Sequence, residues 1–178
     1  LGNINSQIDK IILWHFLGPV ALAIYSVVMM MPDKIKELLK IIGTLALPKM
    51  INKSTQDLQK TIPQKTKQLY FLSLPSLVIY AFFAPFIFKW FFPQYAQYVL
   101  YSQIYCLILI FYPRILSGTV LQAKQKTKQL YIGSLVLSPV YWTLLLLLTP
   151  TLKIWGAIFA FLILEGATFI LQYWQFKK

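Results

Sequence analysis

From residue 69 onward the chain consists of four apolar runs, 69–92, 95–123, 130–148 and 154–176, separated by short gaps. A hydrocarbon core about 30 Å thick is crossed by about 20 apolar residues of helix, so each run is long enough to span a bilayer. A span in lipid must satisfy its own backbone polar groups, and continuous apolar runs of this kind do so as helices. Composition carries the same message: 58% of the 178 residues are hydrophobic and 12% are charged, where an ordinary soluble domain carries about 25% charged residues. A soluble fold of this size exposes too large a share of its surface to hide so much apolar area. The expected fold class is all-α, a polytopic membrane protein, with one transmembrane domain over residues 1–178. The single Cys106 rules out an intramolecular disulfide and reads as a small packing residue.

The charge is lopsided, with 17 Lys+Arg against 5 Asp+Glu. The cations are mostly lysines in the gaps between apolar runs, which is the pattern of cytoplasmic loops under the positive-inside rule. Nucleic-acid binding would call for Arg and aromatics on one accessible face. The one arginine, Arg114, lies inside an apolar run instead, and no nucleic-acid partner is expected.

The first third allows two readings. Residues 11–31 form one span interrupted at Gly18-Pro19, or residues 1–17 and 20–50 are separate helices with a turn at Gly18-Pro19. Proline inside a helix removes a hydrogen bond and crowds the preceding turn, so the pair is a natural break. Pro32 followed by Asp33 also reads as a helix start. Beyond it, Asp33, Lys36, Glu37, Lys40 and Thr44 share one helical face, with Ile35, Leu38, Leu39, Ile42 and Leu45 on the other. That stretch reads as a cavity-lining span or as a helix lying on the membrane.

A repeat bears on topology. Lys65-Thr66-Lys67-Gln68-Leu69-Tyr70 recurs as Lys126-Thr127-Lys128-Gln129-Leu130-Tyr131, each copy leading into a span with Ser and Pro. Both spans then start from the same side, with two helices as the repeating unit. Lys49, Lys53, Lys60, Lys65, Lys67, Lys124, Lys126, Lys128, Lys177 and Lys178 fall on that side, and Lys89 and Lys153 on the other. The Lys-rich side, with both chain ends, is expected to be cytoplasmic. Residues 52–67 read as a cytoplasmic loop with at most a short helix near Leu58. Asn52-Lys53-Ser54 matches a glycosylation acceptor by accident on such a loop. Because the chain starts at Leu1, with no signal-peptide pattern, it also reads as a piece of a longer protein.

Several short motifs resemble one family. Ile8-Asp9-Lys10-Ile11-Ile12-Leu13, Phe16-Leu17-Gly18-Pro19 and Ile24-Tyr25-Ser26 are similar to the start of the second lobe of polysaccharide flippases in the MATE-like exporter superfamily. Leu45-Ala46-Leu47-Pro48-Lys49 resembles the end of the next helix there. Thr149-Pro150 with Trp155-Gly156-Ala157 and Ala160 resembles the turn before the last helix. Ala23 departs from the pattern, since many relatives have Gly before the Tyr-Ser. The resemblance implies about six transmembrane helices forming one lobe of a MATE-like transporter, its N-terminal lobe lying outside this sequence. It implies transport of a polyprenyl-diphosphate-linked glycan across the bacterial inner membrane by alternating access, with membrane lipid as the other partner.

No phosphate-binding Gly-rich loop, His/Cys metal spacing or nucleophile motif is present in the sequence, so neither an enzyme nor a cofactor or metal is expected. His15 reads as a packing or interfacial residue. The informative residues are charges inside spans, which normally face a partner or a wet cavity. Counting about 1.5 Å per residue from the cytoplasmic ends puts Lys10 about 13 Å deep, Lys36 about 18 Å, Arg114 about 13 Å and Glu165 about 16 Å. Lys10, Lys36, Lys40 and Arg114 are the candidate substrate-binding residues, suited to a diphosphate. Asp9 and Glu165 are the candidate ion-coupling carboxylates. The competing reading pairs the charges off: Arg114 with Glu165 across two helices, Asp33 with Lys36 and Glu37 with Lys40 along one, while Lys34 points away and snorkels. Pro75, Pro85, Pro113 and Pro139 fall inside spans, where neighbouring helices can satisfy the freed carbonyls.

Overall fold

A computed structural model describes the backbone of residues 2–51, 55–123 and 127–177, and the side chains of residues 7–41, 45, 61–120, 133, 135–172 and 174. The described elements are helical and include no strand: α1 (Gly2–Ile51), α2 (Thr55–Phe91), a 3-10 turn (Pro93–Tyr98), α3 (Val99–Tyr105), α4 (Ile108–Phe111), a second 3-10 turn (Tyr112–Arg114), α5 (Ile115–Ala123), α6 (Thr127–Leu152) and α7 (Ile154–Lys177). Five segments are long and apolar enough to cross a membrane: Gln7–Ile41, Thr61–Phe91, Pro93–Val120, Leu135–Leu152 and Ile154–Gln172. The protein is an all-α polytopic membrane protein. Large apolar side chains point outward, as lipid requires and water would penalise: Trp90 is 87% exposed and Phe71 84%.

The first segment is not straight. Gly18 has φ 79° and ψ −178°, the one non-helical residue in α1, and a left-handed φ of this kind is readily adopted only by glycine. The Tyr25 hydroxyl donates to Asp9 Oδ2 at 2.8 Å across 16 residues, a separation of about 24 Å in a straight helix. The arms 2–17 and 19–51 therefore fold back on each other, and the second of the two sequence readings describes the backbone. With these arms counted separately, the described residues make six helical passes; Gly18, the 93–98 turn and Lys153 each join two of them.

Pro32 is not a helix start. The helix runs through it, because the donor that its ring removes is replaced from another element. A proline denies the carbonyl four residues back its usual N–H; for Pro32 that carbonyl belongs to Val28. The buried Ser102 hydroxyl of α3 donates to it at 2.6 Å, and the Tyr80 hydroxyl lies 2.6 Å from Ser102 Oγ. Pro85 in α2 is treated alike: the freed Ala81 carbonyl accepts from Gln103 Nε2 at 2.8 Å. The expectation that neighbouring helices satisfy proline-freed carbonyls holds at Pro85.

Pro113 is accommodated differently. The third span was expected as one helix over 95–123, but it is overwound through its middle. Leu107 N donates to the Ile104 carbonyl at 3.1 Å, Leu109 N to Cys106 at 3.0 Å and Ile110 N to Leu107 at 3.0 Å. The Leu109 carbonyl, which Pro113 cannot serve, accepts from the Tyr112 N–H. Tightening to i→i+3 bonds satisfies these carbonyls locally, at the price of breaking the span into α3, α4 and α5.

Two further boundaries differ from expectation. Residues 55–67 are helical and belong to α2, since Lys and Gln favour helix whether or not lipid surrounds them. The α6 helix continues past Pro150 to Leu152 and stops at Lys153, which takes φ 54°. There Gly156 packs so closely on α6 that an added methyl would overlap the Leu148 carbonyl and sit 2.8 Å from Thr149 N. The small residues Ala157 and Ala160, both fully buried, continue this close approach of α7 to α6. The second copy of the repeat, residues 126–131, and the Asn52-Lys53-Ser54 match have side chains outside the described residues.

The main core gathers Leu13, Tyr25, Val28, Ala84, Tyr105, Leu109, Tyr141, Leu145 and Ile158 from every long helix. A second cluster, Ile62, Leu69, Leu116 and Val120, joins α2 to α5. Several of the main-core side chains are phenols, and they lead to the polar interior.

Candidate functional site

Charged and polar side chains inside the spans form three neighbouring groups. The first is Asp9, 2% exposed. Its Oδ2 accepts from the Tyr25 hydroxyl at 2.8 Å and its Oδ1 from the Lys10 backbone N–H at 2.8 Å. The fully buried Tyr141 lies within electrostatic range of Asp9, and its hydroxyl has no hydrogen-bond partner among the described residues. Lys10 is half-buried; its ammonium has no bonded partner among the described residues.

The second group sits between α1, α3 and α7. Asp33 Oδ1 accepts from Lys36 Nζ at 2.7 Å and from the Tyr105 hydroxyl at 3.0 Å. Lys36 Nζ lies 5.6 Å from the centroid of the Phe161 ring, a distance at which the ring face attracts a cation. Phe161 in turn stacks on Tyr105 at 5.6 Å and 24° and meets Tyr141 edge-on at 6.3 Å. One phenylalanine therefore links this cluster to the wall of the Asp9 site.

The third group is Arg114 with Glu165. Nε of Arg114 donates to Glu165 Oε2 at 3.0 Å, and Nη2 donates to the same oxygen. The side chains are 23% and 13% exposed. Tyr105 lies within electrostatic range of Asp33, Glu165 and Asp9 together, so the three groups form one polar seam. The chain order explains how: folding at Gly18 sets Asp9 opposite Tyr25, and the overwound third span carries Tyr105 and Arg114 past α7.

The structure thus gathers Asp9, Lys10, Lys36, Arg114 and Glu165 along one seam. Two of its cations, Lys36 and Arg114, are engaged by carboxylates, the arrangement that the competing sequence reading described. Lys40 stands apart. It is exposed and borders an open depression on α1 with Lys34, Glu37, Leu38 and Ile41. Glu37 is paired to Lys34 at 2.9 Å, with both side chains more than 60% exposed. Lys34, expected to point away, thus bonds Glu37. Solvent screens an exposed pair of this kind, so it adds little to stability.

Sequence reasoning missed Tyr105, Tyr141, Phe161 and Ser102. The signal was present in the phenols: a Tyr in a lipid-facing run carries a hydroxyl that must find a partner once buried. Among the described residues no group of His, Cys, Asp and Glu is arranged to hold a metal ion. Comparisons with protein-family models, with curated proteins and with solved structures return no match.

Proposed function

We propose that this bundle is one lobe of an alternating-access carrier that moves a lipid-linked, diphosphate-bearing glycan across a bacterial inner membrane. The observation that supports this reading is the partial exposure of charged groups within the spans: Asp33 and Lys36 are 33% and 26% exposed, Arg114 and Glu165 23% and 13%. Charges held inside lipid-length helices do not face acyl chains without large cost. The open side of the seam therefore meets water or a second helical unit, as the cavity between two lobes would provide. The resemblance of the Asp9-Lys10, Gly18-Pro19 and Gly156 motifs to flippases points to the same class.

In this reading the lipid tail stays in the bilayer and the headgroup crosses along the seam. Lys10 meets the diphosphate first. Arg114 and Lys36 exchange their carboxylates for phosphate oxygens as the headgroup passes, a trade between anions that leaves each cation paired. Lys40 recruits the headgroup from the cytoplasmic surface. Asp9 is the coupling carboxylate, since it alone among the seam's carboxylates has no cation bonded to it. No covalent step is required. A purely structural role is favoured by one observation, the engagement of Arg114 and Lys36 by carboxylates, and it would make the chain a membrane subunit of a glycan-assembly complex.

The deciding experiment is translocation of a polyprenyl-diphosphate oligosaccharide in proteoliposomes, read by loss of the glycan from the outer leaflet. Carrier function requires protein-dependent transfer that falls on Lys10→Ala and survives Lys89→Ala, a cation at the other end of the bundle. Transfer by the intact two-lobe protein equal to that of empty liposomes would discard the carrier and leave the structural role.

A further inference from the structure

Two adjacent residues of α3 serve prolines in two different helices, and one of these contacts lies beside the polar seam. Ser102 donates to the Val28 carbonyl that Pro32 leaves unserved, and Gln103 to the Ala81 carbonyl that Pro85 leaves unserved. Pro32 immediately precedes Asp33. One turn beyond Ser102 on α3, Tyr105 donates to Asp33 Oδ1. Residues three apart share a helix face, so Ser102 and Tyr105 grip α1 at two points, one on each side of Pro32.

We propose that Ser102 is a positioning residue for the Asp33–Lys36–Tyr105 cluster: by replacing the donor that Pro32 lacks, it ties the α1 backbone to α3 one turn before Asp33 and so keeps Asp33 under Tyr105 and Lys36 over Phe161. Gln103 performs the same replacement on α2 and anchors α3 from the other side. Ser102 is fully buried, so no bulk water can take over its bond, and without it the Val28 carbonyl is an orphan acceptor inside the bundle. The carbonyl then regains a partner only if α1 shifts against α3, which draws Asp33 away from Tyr105 and Lys36 away from Phe161. The importance of this contact for transport rests on the carrier reading; the contact itself does not, and its test involves no substrate.

The test is the rate at which a membrane-permeable acylating reagent modifies Lys36 in the full chain, read by mass spectrometry, with Lys34 as the internal control. Ser102→Ala is expected to speed Lys36 modification about fivefold, the scale of one lost hydrogen bond, and to leave Lys34 unchanged. Ser102→Thr, which keeps the hydroxyl, should match the parent. Pro32→Ala combined with Ser102→Ala should recover thermal stability, because position 32 then supplies the N–H itself. If Ser102→Ala alone does not fold, the double variant must. An unchanged Lys36 rate in folded Ser102→Ala, an equal rise at Lys34, or a double variant as unstable as the single would overturn the proposal.

Discussion

Asp9 and Glu165 are both carboxylates inside apolar spans, and the bundle treats them in opposite ways. Glu165 receives two N–H groups from Arg114, an obligate cation, and remains 13% exposed. Asp9 is more deeply enclosed at 2% exposure, yet its side-chain partner is a neutral phenol. A cation in electrostatic range of Asp9 is Lys10, the next residue in the chain. A compensated pair is electrically complete and acts only by being broken. The seam thus holds two kinds of carboxylate, one engaged by a cation and one held by a phenol.

The largest consequence falls on the compensated pair. Arg114→Ala leaves Glu165 charged and unpartnered at a part-buried position, and losing hydrogen bonds to a charged group costs about 1.5–3 kcal/mol. Replacing both, Arg114→Leu with Glu165→Leu, removes the charge and its partner together and should return stability to the parent value or slightly above it. Thermal and denaturant unfolding in mild detergent, followed by circular dichroism, measures both. If the single and double variants are equally unstable, the pair does not compensate as described and the contrast with Asp9 fails. A double variant that is stable but inactive in translocation would place Arg114 in the headgroup path.

How much of this was legible in sequence depended on range. Lipid imposes a length on every span, so the apolar runs and the break at Gly18-Pro19 could be read directly. The Arg114–Glu165 pair was legible because equal depth in neighbouring helices is a one-dimensional quantity. Contacts set by helix rotation were not. Ser102 and Val28 are 74 residues apart, and nothing local to either announces that Pro32 and Ser102 complete one another. The extension of α2 down to Thr55 escapes a reading by polarity for a different cause: Lys and Gln are good helix formers outside the membrane as well as in it. Lys34 was placed away from Glu37 by face arithmetic, but a lysine side chain is long enough to cross that angle.

On the Asp9 side the expected effects are smaller. Tyr25→Phe removes the phenol donor and keeps the ring, so Asp9 retains one N–H and loses the bond that closes the two arms of α1. Interhelical hydrogen bonds in membranes contribute about 1–2 kcal/mol at their strongest, and the loss should fall in that range in the same unfolding measurement. Tyr105→Phe should cost less, about 0.6 kcal/mol, because Asp33 keeps Lys36 and is one-third exposed. A Tyr105→Phe effect larger than that of Tyr25→Phe would reverse the ranking of the two sites by enclosure.

The smallest effect separates packing from polarity at Tyr141. Its ring is fully buried against Phe161, but its hydroxyl has no hydrogen-bond partner among the described residues. Tyr141→Phe keeps the ring and deletes a polar atom whose burial is uncompensated, so stability should change by less than about 0.5 kcal/mol or rise slightly. Tyr141→Leu, which deletes the ring's edge-on contact as well, should cost more, which assigns Tyr141 to packing. If Tyr141→Phe instead lowers stability by more than about 1 kcal/mol, the hydroxyl serves a bonded partner in the membrane. The polar interior would then extend past Asp9 to the Tyr141 hydroxyl, and the two sides would differ less in how completely their polar groups are satisfied.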